Sequence, residues 1–347
     1  MSPVSTRRGI LAAGNWVVDR VKTIDAYPER ERLADILSET TNNGGAAYNL
    51  LKDLAKLKAP FPLEGAGLLG EDSDGDRILQ DCADFGINTS RLTRLPDIRT
   101  SYTDVMSEEG SGIRTFFHCR GANAFFDRPH ADLASSQARH FHLGYLLLLD
   151  KLDEVLPAGA TRAAELLAEA QSLGFITSAD LVSAGHGRFR SVVPPSLPHL
   201  DMLFVNEYEA SEVTGLNFSL GPDGLPKDWN GARACLEAFI RLGIRSWVFV
   251  HFPGGACALS AGGEYLFQGA VKLPAGKVTG TVGAGDAFAA GVLLGAHEGV
   301  PMSESLRYGI CAAAACIQHP SSSEGVIPMT DCLDLGRKYG FIRYPSP

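Results

Sequence analysis

The sequence predicts an α/β protein: a mostly parallel central sheet flanked by helices, with a small β-sheet lid. Three observations carry this. From about residue 138 onward, short apolar runs alternate with helical segments. Strand–helix–strand alternation of that kind argues for a parallel sheet covered on both faces. Two early stretches, about 21–41 and 98–126, are instead rich in Thr, Tyr, Phe and charge, which suits strands of a separate, half-exposed layer. Finally, 347 residues can bury one large core, and no internal repeat or low-complexity linker divides them. Residues 1–347 therefore read as a single domain with the lid segments inserted into it.

Along the chain, Gly9 to Ala13 reads as the first strand, and Gly14-Asn15-Trp16-Val17-Val18-Asp19 follows it and closes on an acid. Acids just after parallel strands lie where α/β proteins bind ligands, although a turn Asp has the same appearance. Asn43-Gly44-Gly45-Ala46-Ala47-Tyr48-Asn49-Leu50 is a Gly-Gly turn entering an Ala/Leu-rich helix. Asn49 falls in its first turns, where a poor helix former has a cost that function would justify. Gly67 to Gly75 reads as a strand end, a polar turn and a helix cap, and Thr115-Phe116-Phe117-His118 shows the period of a strand. A small β-layer inserted early into an α/β core has the shape of a lid that excludes water.

The second half supplies most of the core. Strands are expected at His140–Leu149, Phe175–Leu181, Met202–Asn206 and Ser246–His251. Helices are expected at Ala158–Leu173, Gly231–Leu242, Ala284–His297 and Glu304–Ile317. Ala312 to Ala315 reads as close helix packing. His140-x-His142 has the period of a buried strand, and no Cys or third His follows at zinc-ligand spacing. Asp180 ends a strand and is a candidate to line a pocket.

The richest motif is Gly280-Thr281-Val282-Gly283-Ala284-Gly285-Asp286-Ala287-Phe288, a tight turn opening into a helix. The amides of Gly283, Ala284 and Gly285 are expected unpaired in the first turn, where the helix dipole favours negative charge. Small side chains let an anion approach the backbone. Asp286 adds a carboxylate beside that anion site. Amides that hold a transferring anion, next to an acid that takes a proton, are the parts that phosphoryl transfer to a hydroxyl needs. A turn of this composition also serves simply to pack a helix against a strand, and Asp is a common helix cap.

Composition narrows the partners. The formal net charge is −9, with 45% hydrophobic and 20% charged residues, and no dense Lys/Arg cluster appears beyond Arg7-Arg8. Nucleic acid is therefore not an expected partner. No apolar run reaches the roughly 18 residues of a membrane helix. The seven cysteines show no C-x-x-C pair, which points to reduced thiols in a cytoplasmic setting, and no signal peptide is expected.

Taken together, the residues resemble the ribokinase-like (PfkB-type) carbohydrate kinases. The Gly-Gly-x-x-x-Asn segment (Gly44 to Asn49) and the Gly-Ala-Gly-Asp segment (Gly283 to Asp286) lie in that order, about 240 residues apart, with Asn206-Glu207-Tyr208-Glu209 between them. The resemblance implies that Asp286 is the catalytic base and that Gly283, Ala284 and Gly285 form the anion hole. It implies that Asp19, Gly44, Gly45 and Asn49 hold the sugar hydroxyls. Asn206 and Glu209 would organise Mg²⁺ and phosphate, Glu209 reaching the metal through water, with Gly255 and Cys311 beside the nucleotide. Asn206 and Glu209 also fit a helix cap with a capping-box acid.

Three departures from the pattern matter. Many relatives carry Asp at the position of Gly280, where it helps hold a monovalent cation, so K⁺ activation through that residue is expected to be weak or absent. Phe252 stands where Gly is frequent in the nucleotide loop. Val17 falls where ribokinases proper often have Asn, which weakens ribose as the substrate. The reading is thus a Mg²⁺- and ATP-dependent kinase of a small sugar or sugar acid, homodimeric through the lid. A nucleoside kinase and a non-catalytic sugar-binding regulator are the alternatives.

Overall fold

The computed structural model describes residues 7–110, 113–183 and 187–343. Its first strand, β1 (Ile10–Gly14), is buried along its whole length. The chain then leaves for β2 (Val17–Ile24) and β3 (Ile36–Gly44), and returns through α1 (Ala46–Lys56), β4 (Leu63–Gly70), α2 (Ser73–Asp84) and β5 (Asn88–Leu95). A second excursion gives β6 (Ser101–Glu108) and β7 (Arg114–Cys119). The remaining core runs through β8 (His140–Leu146), α3 (Arg162–Ser172), β9 (Ile176–Leu181), α4 (Phe189–Val192), β10 (Met202–Asn206), α5 (Glu207–Thr214) and α6 (Trp229–Arg241). It ends with β11 (Trp247–Phe252), β12 (Gly255–Ser260), β13 (Tyr265–Gly269), α7 (Ala284–His297), α8 (Met302–Cys316) and α9 (Met329–Tyr339).

Nine of these strands form one sheet in the order β13-β12-β11-β10-β9-β8-β1-β4-β5. From β11 to β5 the neighbours are parallel, while β12 and β13 add antiparallel strands at one edge. Successive side chains of a strand point to opposite faces, and β1 shows the consequence. Ile10 and Ala12 join a core with Leu50, Leu51, Phe288 and Cys311 on the side of α1, α7 and α8. Leu11 and Ala13 join a separate core with Leu166, Leu236 and Phe239 on the side of α3 and α6. Both faces are covered, so β1 reads as an unbroken apolar run.

Helices α7 and α8 pack closely because small residues meet at their crossing. A Cβ at Gly291 would stand 2.6 Å from the Tyr308 carbonyl, and one at Gly309 would stand 2.7 Å from that of Phe288. Ala312 and Ala315 are buried in the same layer. The expected helices and strands of the second half are found with ends shifted by a few residues. The largest shift is at α3, which starts at Arg162 because Thr161 caps it by accepting from the Ala164 amide.

The two early excursions form a separate four-stranded sheet in the order β3-β2-β6-β7. Its strands begin earlier than the composition suggested, at Val17, and run on to Gly44, where the chain enters α1. Residues 121–125 are a 3₁₀ turn outside this sheet. Ile36, Leu37, Phe116 and Phe117 remain exposed on it. Among the described residues, no helix is long and apolar enough to cross a membrane, and all seven cysteines are free.

Candidate active site

Parallel strands point their C-terminal ends to one edge of the sheet, and helix N-termini follow there. Asp286 lies at this edge in the first turn of α7, whose N-cap Gly283 has φ 78°. Gly283 is required twice over: that φ suits glycine, and a Cβ would collide with the Ser322 carbonyl. Of the three expected free amides, that of Ala284 donates to the Thr281 carbonyl at 3.3 Å. An anion hole here would therefore rest on the amides of Gly283 and Gly285. A Cβ at Gly285 would stand 3.2 Å from the His251 ring, so the end of β11 lines the same turn.

The Asp286 carboxylate is 5% exposed and holds neutral partners. Asn49 Nδ2 donates to its Oδ2 at 2.7 Å, and the Tyr145 hydroxyl donates to both oxygens at 2.8 and 2.9 Å. Burial first, then the negative charge of Asp180, pushes its pKa up to about 8, against the hydrogen bonds from Asn49 and Tyr145. Nothing in the turn motif pointed to Tyr145. It lies near the end of β8, inside an apolar run, and reaches Asp286 only because β8 lies beside β1.

Asp19 is in β2 of the small sheet rather than in a turn after β1, level with Asn42 on one side and Thr103 on the other. Burial raises its pKa to about 7, with Thr103 and Arg114 acting the other way. Gly44 makes room for it, since a Cβ there would stand 2.5 Å from the Asp19 carboxylate. Gly45 caps α1 at φ 84° with its Cα against the Asn15 carbonyl. Both glycines thus have a steric reason, and Asn49 follows one turn inside the helix. Asp180, at the end of β9, sits beside His142 Nε2 at 3.5 Å. It acts electrostatically on both Asp286 and Glu209.

Asn206 and Glu209 form the capping box of α5: Asn206 Oδ1 accepts from the Glu209 amide at 2.8 Å, and Glu209 Oε2 accepts from the Asn206 amide at 3.0 Å. Ser183 donates to the second Glu209 oxygen at 2.8 Å. Burial lifts the Glu209 pKa to about 7. With both oxygens engaged, a metal would meet this carboxylate through water. No group of three or more His, Cys, Asp or Glu at metal-binding distance occurs among the described residues, the His140/His142 pair included. Gly255 opens β12 with its Cα against the Gln268 carbonyl, and Cys311 is wholly buried in α8. Among the described residues, no contact links either of them to Asp286.

One cation reaches this acidic edge from the small sheet. Arg114 Nη2 donates to the Pro320 carbonyl at 3.1 Å. A Cβ on Gly280 would stand 3.0 Å from that nitrogen. The guanidinium therefore lies where a side chain at position 280 would project. Sequence reasoning offered no signal for this meeting of residues 114, 280 and 320.

The sequence profile of the pfkB family carbohydrate kinases matches residues 13–329. The chain belongs to that family. It is accordingly similar to a ribokinase of Arabidopsis thaliana, 25% identical over 88% of this chain and 75% of that protein. A 2-dehydro-3-deoxygluconokinase of Dickeya dadantii is 26% identical over 75% of this chain and 81% of its own length. Among solved structures, Arabidopsis thaliana ribokinase complexed with ribose and ATP superposes with a TM-score of 0.77 at 20% identity, covering 95% of this chain and 99% of that one. The nine-stranded sheet with its small companion is the architecture these PfkB kinases share, and the chain is a phosphotransferase of their kind.

Proposed function

We propose that this protein transfers the γ-phosphoryl group of ATP to a hydroxyl of a small sugar or sugar acid. The observation that carries this is Asp286: a buried carboxylate, bonded only to neutral donors, with a pKa near 8, one residue beyond the Gly283–Gly285 turn. A general base works best with a pKa near the operating pH. The acceptor would bind between the small sheet and the main sheet, against Asp19 and Asn49, which supply acceptor and donor for vicinal hydroxyls. Asp286 would take the proton of the attacking hydroxyl. The amides of Gly283 and Gly285, at the positive end of α7, would hold charge on the transferring group.

Mg²⁺ bound to nucleotide phosphates characteristically keeps several waters and needs few protein ligands. The internally bonded Glu209 fits such a water-mediated contact, and the ion would supply charge neutralisation on the phosphates. Arg114 beside Gly280 supports a reaction without K⁺ activation through position 280, because a fixed cation already lies there. Exposed Ile36, Leu37 and Phe117 on the small sheet support a homodimer formed through it. The free thiols suit a cytoplasmic setting.

The test is an ADP-release assay with Mg·ATP and fructose, ribose, 2-keto-3-deoxygluconate or adenosine. Turnover of a sugar or sugar acid, with adenosine inert, is the expected result. Turnover of adenosine alone would make the protein a nucleoside kinase. Thermal stabilisation by a sugar with no phosphorylated product would make it a non-catalytic binder.

A further inference from the structure

Behind Asp286 lies a buried carboxylate that the phosphoryl-transfer scheme does not use. Asp53 is 0% exposed and sits in α1 four residues after Asn49, on the same face of the helix. Burial pushes its pKa well above the ordinary carboxylate range. Burying such a group costs stability unless hydrogen bonds or an opposite charge compensate it. Ser323 faces it and offsets part of that burial, although neither carboxylate oxygen closes a hydrogen bond of good geometry. Lys52 and Lys56 act on it from α1, Asp286 from α7, and its charge reaches Cys316 on α8.

From Ser323 an unbroken chain of side-chain hydrogen bonds leads to the base. Ser323 Oγ accepts from Asn43 Nδ2 at 2.8 Å. The same Asn43 nitrogen donates to Asn49 Oδ1 at 2.7 Å. Asn49 Nδ2 then donates to Asp286 Oδ2 at 2.7 Å. Each link fixes the next. An amide nitrogen can only donate, so Asn43 fixes which end of the Asn49 amide faces Asp286. Ser323, having accepted from Asn43, has its single proton left, and the Asp53 carboxyl is the group beside it that could take it.

We propose that Asp53 is a positioning residue, the buried acceptor that anchors Ser323, Asn43 and Asn49 and so holds the Asp286 carboxylate in its reactive orientation. This rests on the reading of Asp286 as base. What the anchor must supply is an oxygen acceptor at that place, and a charge is not required.

Steady-state kinetics with Mg·ATP and the best-turned-over member of the four-compound panel test it. Asp53→Leu and Ser323→Ala are each expected to lower kcat by about tenfold while the acceptor KM changes less, the signature of a group that acts on the reacting geometry. Asp53→Asn, which keeps an acceptor oxygen, is expected to restore kcat to within about twofold of wild type. The double variant Asp53→Leu/Ser323→Ala is expected to be no slower than either single variant, because both cut one chain. Should Asp53→Leu fail to fold, Ser323→Ala carries the same expectation. Wild-type kcat in Ser323→Ala, Asp53→Asn as slow as Asp53→Leu, or losses that multiply would each overturn the proposal. Those failures would occur with Asp286→Asn still inactive. Full turnover by Asp286→Asn would instead remove the base, and with it anything for Asp53 to position. If no panel compound is turned over, a crystal structure of Ser323→Ala decides: an Asn49–Asp286 contact kept at its wild-type length and orientation would overturn the proposal, and a displaced amide would support it.

Discussion

In the proposed reaction the Asp286 carboxylate is the group on which the chemistry turns, and its neighbours tune it in opposite directions. Burial and Asp180 favour the protonated form, whereas Asn49 and Tyr145 donate to the charged form and stabilise it. Asp286→Asn is expected to lower kcat by about 10²–10⁴ while sparing acceptor affinity; near-wild-type turnover would remove it from the mechanism. Tyr145→Phe removes two of the hydrogen bonds that stabilise the carboxylate, so the Asp286 pKa should rise. The acid limb of kcat/KM, which reports the base in the free enzyme, is then expected to move to higher pH by up to about one unit. A limb that stays in place or moves down would show that the phenol does not tune the base. At this scale the sequence was informative where glycine marks a motif. Gly44, Gly45 and Asn49 lie in one run, as do Gly283 to Asp286. Tyr145, His251 and Arg114 carry no such mark, because each belongs to an ordinary strand and meets the site only across the fold.

Among the elements, α7 does most to assemble the site, and its start is held by the loop after α8. The Gly283 Cα lies against Ser322, and the Thr279 amide donates to the Ile317 carbonyl at 2.9 Å. Gly283→Ala would have to adopt φ near +78° and displace the Ser322 carbonyl. It is expected to destabilise the protein by about 1–3 kcal/mol, and to lower kcat because the amide proposed to face the transferring group moves with the turn. A thermal melt and a rate assay on the same preparation check both. Helix and strand positions in the second half were legible because their apolar periods are strong. The register of Asp19 was not legible. A strand of the small sheet follows β1 after only two residues, and a short polar link reads the same whether it is a turn or the start of a new strand.

For the whole molecule, an edge built from buried acids has a consequence for stability. Asp286, Asp19 and Glu209 have pKa values of about 8, 7 and 7 in the folded protein, above their ordinary values. Below pH about 4 both folded and unfolded chains hold these protons and the groups cost nothing. As pH rises through the folded pKa values, the unfolded chain has already released protons that the folded chain must give up from an unfavourable site, and stability is lost. The histidines act at the other end. His118, His140 and His251 are held at about 4, 3 and 4 by burial. Their contribution is present above the ordinary histidine pKa and lost as pH falls from about 6.5 towards those values. The melting temperature of the ligand-free protein is therefore expected to fall between about pH 6 and about pH 9. A melting temperature that is flat or rising over that range would contradict the buried-acid account.

By itself the sequence determined the α/β architecture, the two glycine turns and the residues that each turn must contain. Periodicity and backbone sterics act over a few residues and leave their signature in the chain. Only the tertiary structure decided which strand ends stand side by side. The order β10-β9-β8-β1 brings Asp180 and Tyr145 together beside Asp286, the approach of α1 to α7 brings Asn49, and the small sheet brings Asp19 and Arg114 over them. Hydrogen bonds between residues more than 200 positions apart depend on sheet order and helix packing, and those are properties of the whole core rather than of any segment within it.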